Sequence, residues 1–317
     1  MDARLTKTSS STRLASQGRN SLLRKTWPFH IMLLPAVILA FLFNYLPMFG
    51  VVMSFQNFKP WTGFFQSDWV GLAHFRAMFS RTDSVQVIWN TFIIASLKIV
   101  FIIAIPVAFA LLLNEVRKMA SKRTVQTLVY LPHFMSWVIL GGILVDLLSP
   151  QSGLVNRLLQ GLFGVEPIFF LGNGDWFRFT VVLSHIWKEF GFGTIIYLAA
   201  LAGINPNLYE AAEVDGASRW QQTLFITLPA LVPIIIVCTT LELSNILSAG
   251  FDQIFNLYNP MVYDKGDIID TFVYRVGILD QQMSFSAAIG LFKSVISLVL
   301  VVVVYRIAYK FADYRIF

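Results

Sequence analysis

The sequence is short of charge and almost free of cysteine. Charged residues make up 13% of the 317 residues, and Cys238 is the single cysteine. One cysteine excludes an internal disulfide, and its place within an apolar run favours a small packing residue over redox chemistry. Apolar residues instead dominate, at 56% of the chain, and the mean hydropathy is +0.66. This composition predicts a polytopic membrane protein.

The sequence also lacks the motifs of nucleotide hydrolysis and of common enzyme centres. There is no Gly-x-x-x-x-Gly-Lys-Ser/Thr phosphate loop, no His-Glu-x-x-His helix and no Gly-x-Ser-x-Gly elbow. The four histidines are scattered without metal-ligand spacing. We therefore predict no catalytic residue, no metal site and no cofactor bound by this chain. The net charge of +6 comes from basic residues in particular loops, which indicates membrane orientation and not nucleic-acid binding.

Six apolar runs are long enough to cross the roughly 30 Å of hydrocarbon in a bilayer. The predicted fold is therefore all-α, a bundle of six transmembrane helices over residues 29–317 after a basic, disordered tail at 1–28. Residues 151–175 are rich in glycine and too broken to span, which predicts a short helix on the outer surface. The six predicted spans are 29–55, 86–114, 125–149, 179–203, 229–250 and 286–309.

Basic residues predict which way the spans run. Arg117, Lys118, Lys122 and Arg123 lie in one short connection between the second and third spans, and the tail is basic as well. Because basic loops stay on the cytoplasmic side, both termini are predicted to lie in the cytoplasm. The same orientation places the polar loop 204–228 there, between the fourth and fifth spans.

The loop 204–228 carries small residues at fixed spacing. Asn205 and Pro206 predict the start of a short helix that ends at Gly216. A second short helix is predicted over 218–227, before Pro229 opens the next span. The small side chains within the loop let another protein approach the backbone closely, and they follow one acidic residue in the order Glu210-Ala211-Ala212, then Gly216 and Ala217.

This spacing, with its Ile-Thr-Leu-Pro ending, resembles the EAA loop of permease subunits of type I bacterial ABC importers. Residues 45–59 with 69–75, and residues 250–260 with 267–277, resemble the carbohydrate branch of these permeases, the maltose and alginate types. The resemblance implies a coupling helix that docks in a groove of a separate ATPase. The residues that it assigns to coupling are Glu210, Ala211, Ala212, Asp215, Gly216 and Arg219.

The resemblance also implies partners and a location. The chain would not be an enzyme, because two ATPase subunits would hold ATP and Mg. It would pair with a second homologous permease and accept an oligosaccharide or polysaccharide fragment from an extracytoplasmic solute-binding protein. The implied location is the bacterial cytoplasmic, or inner, membrane. Whether the carbohydrate is neutral or acidic stays open.

Polar residues inside the predicted spans are the candidates for the solute path. Ionisable groups at bilayer depth are costly and usually face a bundle interior or an aqueous cavity. His185, Lys188, Glu189 and Phe192 share one face of the fourth span at offsets of 3, 4 and 7. A structural alternative is that Lys188 and Glu242, or Lys98 and Glu189, neutralise each other as buried pairs. The complete candidate set is Trp137, His185, Lys188, Glu189, Phe192, Glu242 and Asn245.

Two other classes of function compete with the importer. An ion-gradient secondary transporter would use Lys188, Glu189 and Glu242 as a relay, and inverted repeats would favour it; the sequence shows no convincing internal repeat. A membrane-embedded transferase acting on lipid-linked sugars would need clustered carboxylates or a basic pair at one membrane face, and none stands out.

Overall fold

The structure, a computed structural model, describes residues 26–244 and 247–312. In these residues the regular strands are β1 (Gln56–Asn57) and β2 (Asp68–Trp69), which pair antiparallel. All other regular structure there is helical. The chain divides into two units, Met1–Val52 and Met53–Phe317. Most of the predicted tail lies outside the described residues, so its boundary and its disorder stay predictions.

The first long helix, α1 (Thr26–Phe55), matches the predicted first span. Its apolar side chains are exposed along its length, as expected of a helix that lipid or a partner covers. A wide π turn at Phe41–Tyr45 leads into a 3-10 helix at Leu46–Phe55. Pro47 explains this change, because its ring clashes with the preceding turn and it donates no backbone hydrogen bond.

The second unit contains fourteen further helices in its described part, of which α4 and α8 form the most extensively packed pair. They are α2 (Gly63–Gln66), α3 (Ala73–Ser80), α4 (Thr82–Asn114), α5 (Met119–Tyr130), α6 (Trp137–Leu148), α7 (Leu154–Phe163), α8 (Gly174–Ala202), α9 (Pro206–Val214), α10 (Arg219–Gln222), α11 (Leu228–Ser244), α12 (Phe251–Leu257), α13 (Tyr263–Gly266), α14 (Ile269–Tyr274) and α15 (Met283–Ala312).

Three apolar clusters hold this unit together. The largest joins α4 and α8 to the segment from α12 to α13, with Phe177 and Ile254 fully buried. A second packs α3, α4 and α14 against α15 around Phe272. A third joins α4, α8 and α11 around Leu231. Each cluster includes α4, so this helix is the common support of the unit.

The predicted third span, 125–149, is not one straight helix. Met119–Phe134 and Trp137–Leu148 meet at an angle of 101°. Pro132 falls in a 3-10 turn at Leu131–Phe134, and the Ser136 side chain accepts a hydrogen bond from the Ile139 amide to begin α6. A cap inside an apolar run therefore ends one helix and starts another.

The predicted fifth span also needs correction at both ends. A separate helix at 218–227 is wrong, because the helix runs without interruption from Arg219 to Leu243. A π turn at Thr223–Thr227 accommodates Pro229, whose ring would otherwise collide with the turn before it. The helix ends near Ser244, whereas the prediction continued to 250; Gly250 has φ +96 and α12 follows it.

Four helical segments in the described chain are long and apolar enough to span: α1, α4, Arg219–Leu243 and Met283–Arg306. The bent pair α5–α6 makes a fifth. The remaining predicted span is α8, whose 29 residues measure about 43 Å at 1.5 Å per residue. It is long enough to cross but carries several charges. The predicted outer segment 151–175 contains α7, as expected of a short helix.

Candidate functional site

Polar side chains meet where α8 passes the bend between α5 and α6. Glu189 accepts from Lys188 at 2.8 Å and contacts His133 Nδ1 at 2.7 Å. Lys188 Nζ also donates to the His133 carbonyl oxygen at 2.9 Å. Only 8% of the Lys188 side chain is exposed, against 24% for Glu189 and 28% for His133. The ammonium is therefore shielded, while the carboxylate and imidazole remain accessible.

Aromatic rings surround this ionic group. The His133 ring stacks on Phe192 with centroids 4.0 Å apart and planes at 2°. Trp137 lies parallel to His185 at 6.4 Å, and Lys188 Nζ lies 5.6 Å from the Trp137 ring centre. We call the six residues the intramembrane cluster: His133, Trp137, His185, Lys188, Glu189 and Phe192.

Five of the predicted path residues thus meet in one place, and His133, which the predicted set left out, joins them. His133 lies in the 3-10 turn that forms the bend, one turn before Trp137. A third span taken as one straight helix gives no reason to place His133 beside Glu189. Its signal in the sequence is a histidine directly after Pro132, the residue that interrupts the apolar run.

The predicted ion pairs are wrong. Lys188 pairs with its sequence neighbour Glu189 and not with Glu242. Glu242 is exposed and makes no ion pair within the described residues. Asn245 lies outside the described residues, so its role stays a prediction.

Lys98 does not pair with Glu189 either. It is 5% exposed at the middle of α4, and its Nζ donates to the Ala249 carbonyl at 2.6 Å and to Gln253 Oε1 at 2.5 Å. Gln253 is fully buried and donates onward to the Val181 carbonyl and to Ser184 Oγ on α8, at 2.7 and 2.8 Å. The ammonium therefore ties α4 to the break before α12.

The predicted coupling residues follow the carboxyl end of α8. α9 begins with the Asn205 side chain accepting from the Asn207 amide and closes with Gly216 at φ +79. The Ala217 amide donates to the Ala212 carbonyl and the Gly216 amide to the Glu213 carbonyl. These two bonds form a Schellman motif, which needs the left-handed conformation that glycine adopts without strain. The predicted helix end is confirmed.

α9 presents an exposed surface. Glu210, Ala211, Asp215 and Gly216 are exposed, while Ala212 is half-buried. A Cβ at Gly216 would meet no atom within 4 Å. Val214 is 88% exposed, which is unusual for an apolar side chain unless another surface covers it.

Two contacts connect this surface to the bundle. Arg219 Nη1 donates to Glu115 Oε2 at 3.0 Å, which joins α10 to the end of α4. The hydroxyls of Tyr209 and Thr227 lie 2.9 Å apart and join α9 to the π turn. A cavity of about 440 Å³ lies between these contacts. Arg219 is thus engaged within its own chain.

No group of three or more His, Cys, Asp or Glu side chains within residues 26–244 and 247–312 is placed to hold a metal ion. The polar chemistry of the described chain is instead that of hydrogen bonding, ion pairing and ring stacking.

Residues 100–315 match the family described as binding-protein-dependent transport system inner membrane component. The chain belongs to this family. It is a permease subunit of an ABC importer, as the loop spacing predicted, and not an enzyme or an ion-gradient transporter. Its all-α membrane fold is that of the importer permeases.

Two relatives from Bacillus subtilis (strain 168) cover most of this permease. The polygalacturonan/rhamnogalacturonan transport system permease protein YteP is 42% identical over 91% of this chain and 89% of its own. Protein LplB is 41% identical over 94% of this chain and 93% of its own.

A solved structure of a bacterial ABC transporter involved in the import of the acidic polysaccharide alginate contains a chain with the same fold. The match has a TM-score of 0.85 and 39% identity, over 92% of this permease and 98% of that chain. A second structure of the alginate transporter, in complex with a periplasmic protein that carries alginate pentasaccharide, matches with a TM-score of 0.83.

Proposed function

We propose that this permease forms half of a membrane path for oligosaccharides that contain uronic acids. The observation that carries the proposal is the agreement between two relatives of different kinds: one is named for polygalacturonan and rhamnogalacturonan, the other for acidic alginate. Both are about 40% identical to this chain over nine-tenths of its length.

The intramembrane cluster suits such a solute. Rings of Trp137 and Phe192 offer apolar faces for the faces of sugar rings, while Glu189 and His133 are accessible for hydroxyl groups. Lys188 is the cation that a uronate would meet, and its partner Glu189 holds it when solute is absent. Exchange of one carboxylate for another would keep the ammonium neutralised during passage.

The exposed surface of α9 is the proposed contact for the ATPase. Glu210, Ala211, Ala212, Asp215 and Gly216 would dock in a groove of that subunit, and Arg219 would transmit the movement to α4 through Glu115. ATP and Mg would be held by the ATPase alone. This requires the loop 204–228, and with it both chain termini, to lie in the cytoplasm of a bacterial inner membrane.

The full assembly in this proposal holds a second homologous permease, two ATPase subunits and an extracytoplasmic solute-binding protein. The structure of the alginate transporter in complex with a periplasmic protein supports the last of these partners. The present chain supplies one half of the path and one coupling loop.

Uptake into proteoliposomes tests the solute. The permease, its partner permease and the ATPase would be reconstituted with the solute-binding protein, and uptake of labelled oligogalacturonates would be compared with that of maltooligosaccharides of equal length. We expect ATP-dependent uptake of the oligogalacturonates only. Equal uptake of both sugars would contradict the uronate proposal while retaining an oligosaccharide importer; ATP-independent uptake would contradict the importer mechanism.

A further inference from the structure

Five aromatic residues between α11 and α15 form a continuous series of ring contacts. Phe251 stacks on Phe255 at 5.2 Å, Phe255 contacts Tyr258 at 6.0 Å, and Tyr258 contacts Tyr263 at 5.3 Å. Tyr274 on α14 braces the series edge-on against Phe251 and Phe255, at 5.9 and 5.1 Å. We call Phe251, Phe255, Tyr258, Tyr263 and Tyr274 the aromatic ladder.

The ladder lies at the edge of the apolar core, against which Tyr258 packs. The opposite face of α12 consists of the buried residues Gln253, Ile254 and Leu257. The ladder residues are partly exposed, with Phe255 at 38%. The helical offset of four places Phe251 and Phe255 on one face, away from that core. The rings of Phe251 and Phe255 are therefore accessible on a helix whose other face packs into the core.

One end of the ladder lies at the end of the bundle opposite the coupling loop. Tyr263 begins α13, where Asn90 of α4 donates to the Asp264 carbonyl at 3.0 Å. Arg178, near the start of α8, donates to the Lys265 carbonyl at 2.7 Å. In the proposed orientation this is the outer end.

The other end reaches the depth of the intramembrane cluster. Phe251 comes two residues after Ala249, whose carbonyl accepts from Lys98 of α4. Lys98 lies about 12 Å further along α4 than Asn90, at 1.5 Å per residue. Gln253 binds Ser184 Oγ on α8, next to His185 of the cluster. The ladder therefore leads from the outer end inward to the cluster.

Polar groups accompany the rings at the outer end. The Arg275 guanidinium lies 4.1 Å from the Tyr263 ring centre and pairs with Asp267 at 2.6 Å. Burial raises the pKa of Tyr258 to about 12, so its hydroxyl stays neutral and keeps its proton for donation. Rings with neutral hydroxyls and a planar cation suit a solute with apolar faces and a polar rim.

We infer that the aromatic ladder is a binding surface for sugar rings, along which an oligosaccharide leaves the solute-binding protein and reaches the intramembrane cluster. This rests on the proposed function and adds a second, outer carbohydrate site to it. Successive rings of one chain occupy successive aromatic faces, so the contribution of the ladder grows with oligosaccharide length.

The ladder favours a sugar over a lipid or protein contact. A lipid anchor needs only apolar surface. It would gain nothing from partly buried rings, from tyrosine hydroxyls or from Arg275. A protein contact would gain from the most exposed aromatics, but those lie elsewhere, on α2 and near it, where Phe65 and Trp61 are over 80% exposed.

The test compares Phe255→Leu, Phe255→Trp and Tyr258→Leu in the reconstituted importer, with Phe163→Leu at the exposed end of α7 as the matched aromatic-to-leucine control. Uptake of a labelled digalacturonate and a labelled hexagalacturonate would be measured against the concentration of loaded binding protein. ATPase activity without binding protein, and copurification of the subunits, would establish that each variant is assembled.

We expect Phe255→Leu and Tyr258→Leu to lower the maximal uptake rate of the hexasaccharide about 2- to 10-fold. The disaccharide should be affected less, and the half-saturating concentration of loaded binding protein should not change. Phe255→Trp should retain uptake, because it keeps a ring, and Phe163→Leu should behave as the unchanged protein.

Three results would overturn the inference. Full hexasaccharide uptake by both leucine variants would reduce the ladder to apolar anchoring. A raised half-saturating concentration, equal for both sugar lengths, would make it a docking surface for the binding protein. Failure of the unchanged protein to import any oligosaccharide would contradict the proposed function and the ladder with it, whereas the first two results contradict the ladder alone.

Discussion

Lys98 Nζ lies 2.5 Å from Gln253 Oε1, and both side chains are buried where α11 gives way to α12. No carboxylate in the described part of the chain pairs with this ammonium, which relies on two oxygen acceptors. The Ala249 carbonyl lies between the two helices, outside their helical hydrogen bonds, and the ammonium supplies it with a donor. The contact therefore joins a helix break to the central helix α4.

A double-mutant cycle measures that contact. Lys98→Met leaves two buried acceptors without a donor and should lower the free energy of unfolding by about 1–3 kcal/mol. Gln253→Met leaves a buried charge with fewer acceptors and should cost more. The double variant removes both polar groups, so its loss should be smaller than the sum of the single losses. Thermal unfolding of the purified assembly gives these values; a strictly additive double variant would show that the contact contributes nothing.

Gly250 is expected to resist substitution beside this contact. Its φ is +96, and a Cβ there would lie 3.0 Å from Lys98 Nζ. Gly250→Ala should cost about 1–3 kcal/mol through backbone strain and crowding of the ammonium. Gly290→Ala is the matched control, because a Cβ on α15 there meets nothing within 4 Å and alanine favours the helix by up to about 1 kcal/mol. Equal unfolding temperatures for the two variants would contradict the argument.

Local signals in the sequence predicted the coupling loop well. Asn205, Pro206 and Gly216 act through bonds to residues within a few positions, so the start and the end of α9 follow from the sequence. Hydropathy likewise located α1, α4 and α15 to within a few residues. These features depend on neighbours along the chain and on the bilayer.

Features that depend on distant residues were not predictable. The run 125–149 is apolar on average, and mean hydropathy does not register that Ser136 caps a new helix at 101° to the last. The alternative that pairs Lys188 with Glu242 across the bundle took no account of this bend. The bend supplies the His133 carbonyl, which holds the long side chain beside Glu189. The cluster follows from that bend.

Glu189→Ala tests the ionic part of the intramembrane cluster. It leaves the largely buried Lys188 without its counter-ion and should lower the free energy of unfolding by up to about 3–5 kcal/mol. The loss is smaller to the extent that water reaches the ammonium group. Glu242→Gln is the comparison, since Glu242 is exposed and should change stability by no more than about 0.5 kcal/mol. Chemical unfolding of both variants, with uptake measured in parallel, separates a structural carboxylate from one that meets solute. Unchanged stability of Glu189→Ala would mean that Lys188 needs no counter-ion.

Gly216 gives a graded test of the proposed ATPase contact. Gly216→Ala meets no atom within this chain and should cost only about 1 kcal/mol, from its left-handed backbone. Gly216→Trp adds bulk to the exposed surface of α9 and should abolish solute-stimulated ATP hydrolysis while membrane insertion persists. ATPase assays on the two reconstituted variants, with insertion checked by protease protection, separate strain from steric exclusion. Full stimulation of ATP hydrolysis in Gly216→Trp would show that this surface does not contact the ATPase.

The pair of Arg219 and Glu115 should matter for coupling far more than for stability. The two side chains are 66% and 49% exposed, so the ion pair contributes about 0–1 kcal/mol to folding. It is nevertheless a side-chain hydrogen bond between α10 and the end of α4, and movement of the loop would reach α4 through it. Arg219→Glu and Glu115→Arg should each raise the ATP hydrolysed per solute imported, because like charges separate the two helices. The double variant restores opposite charges and should restore the ratio. A ratio that rises in both single variants and stays high in the double variant would mean that each residue acts on a different partner, and the proposed link between the loop and α4 would fail.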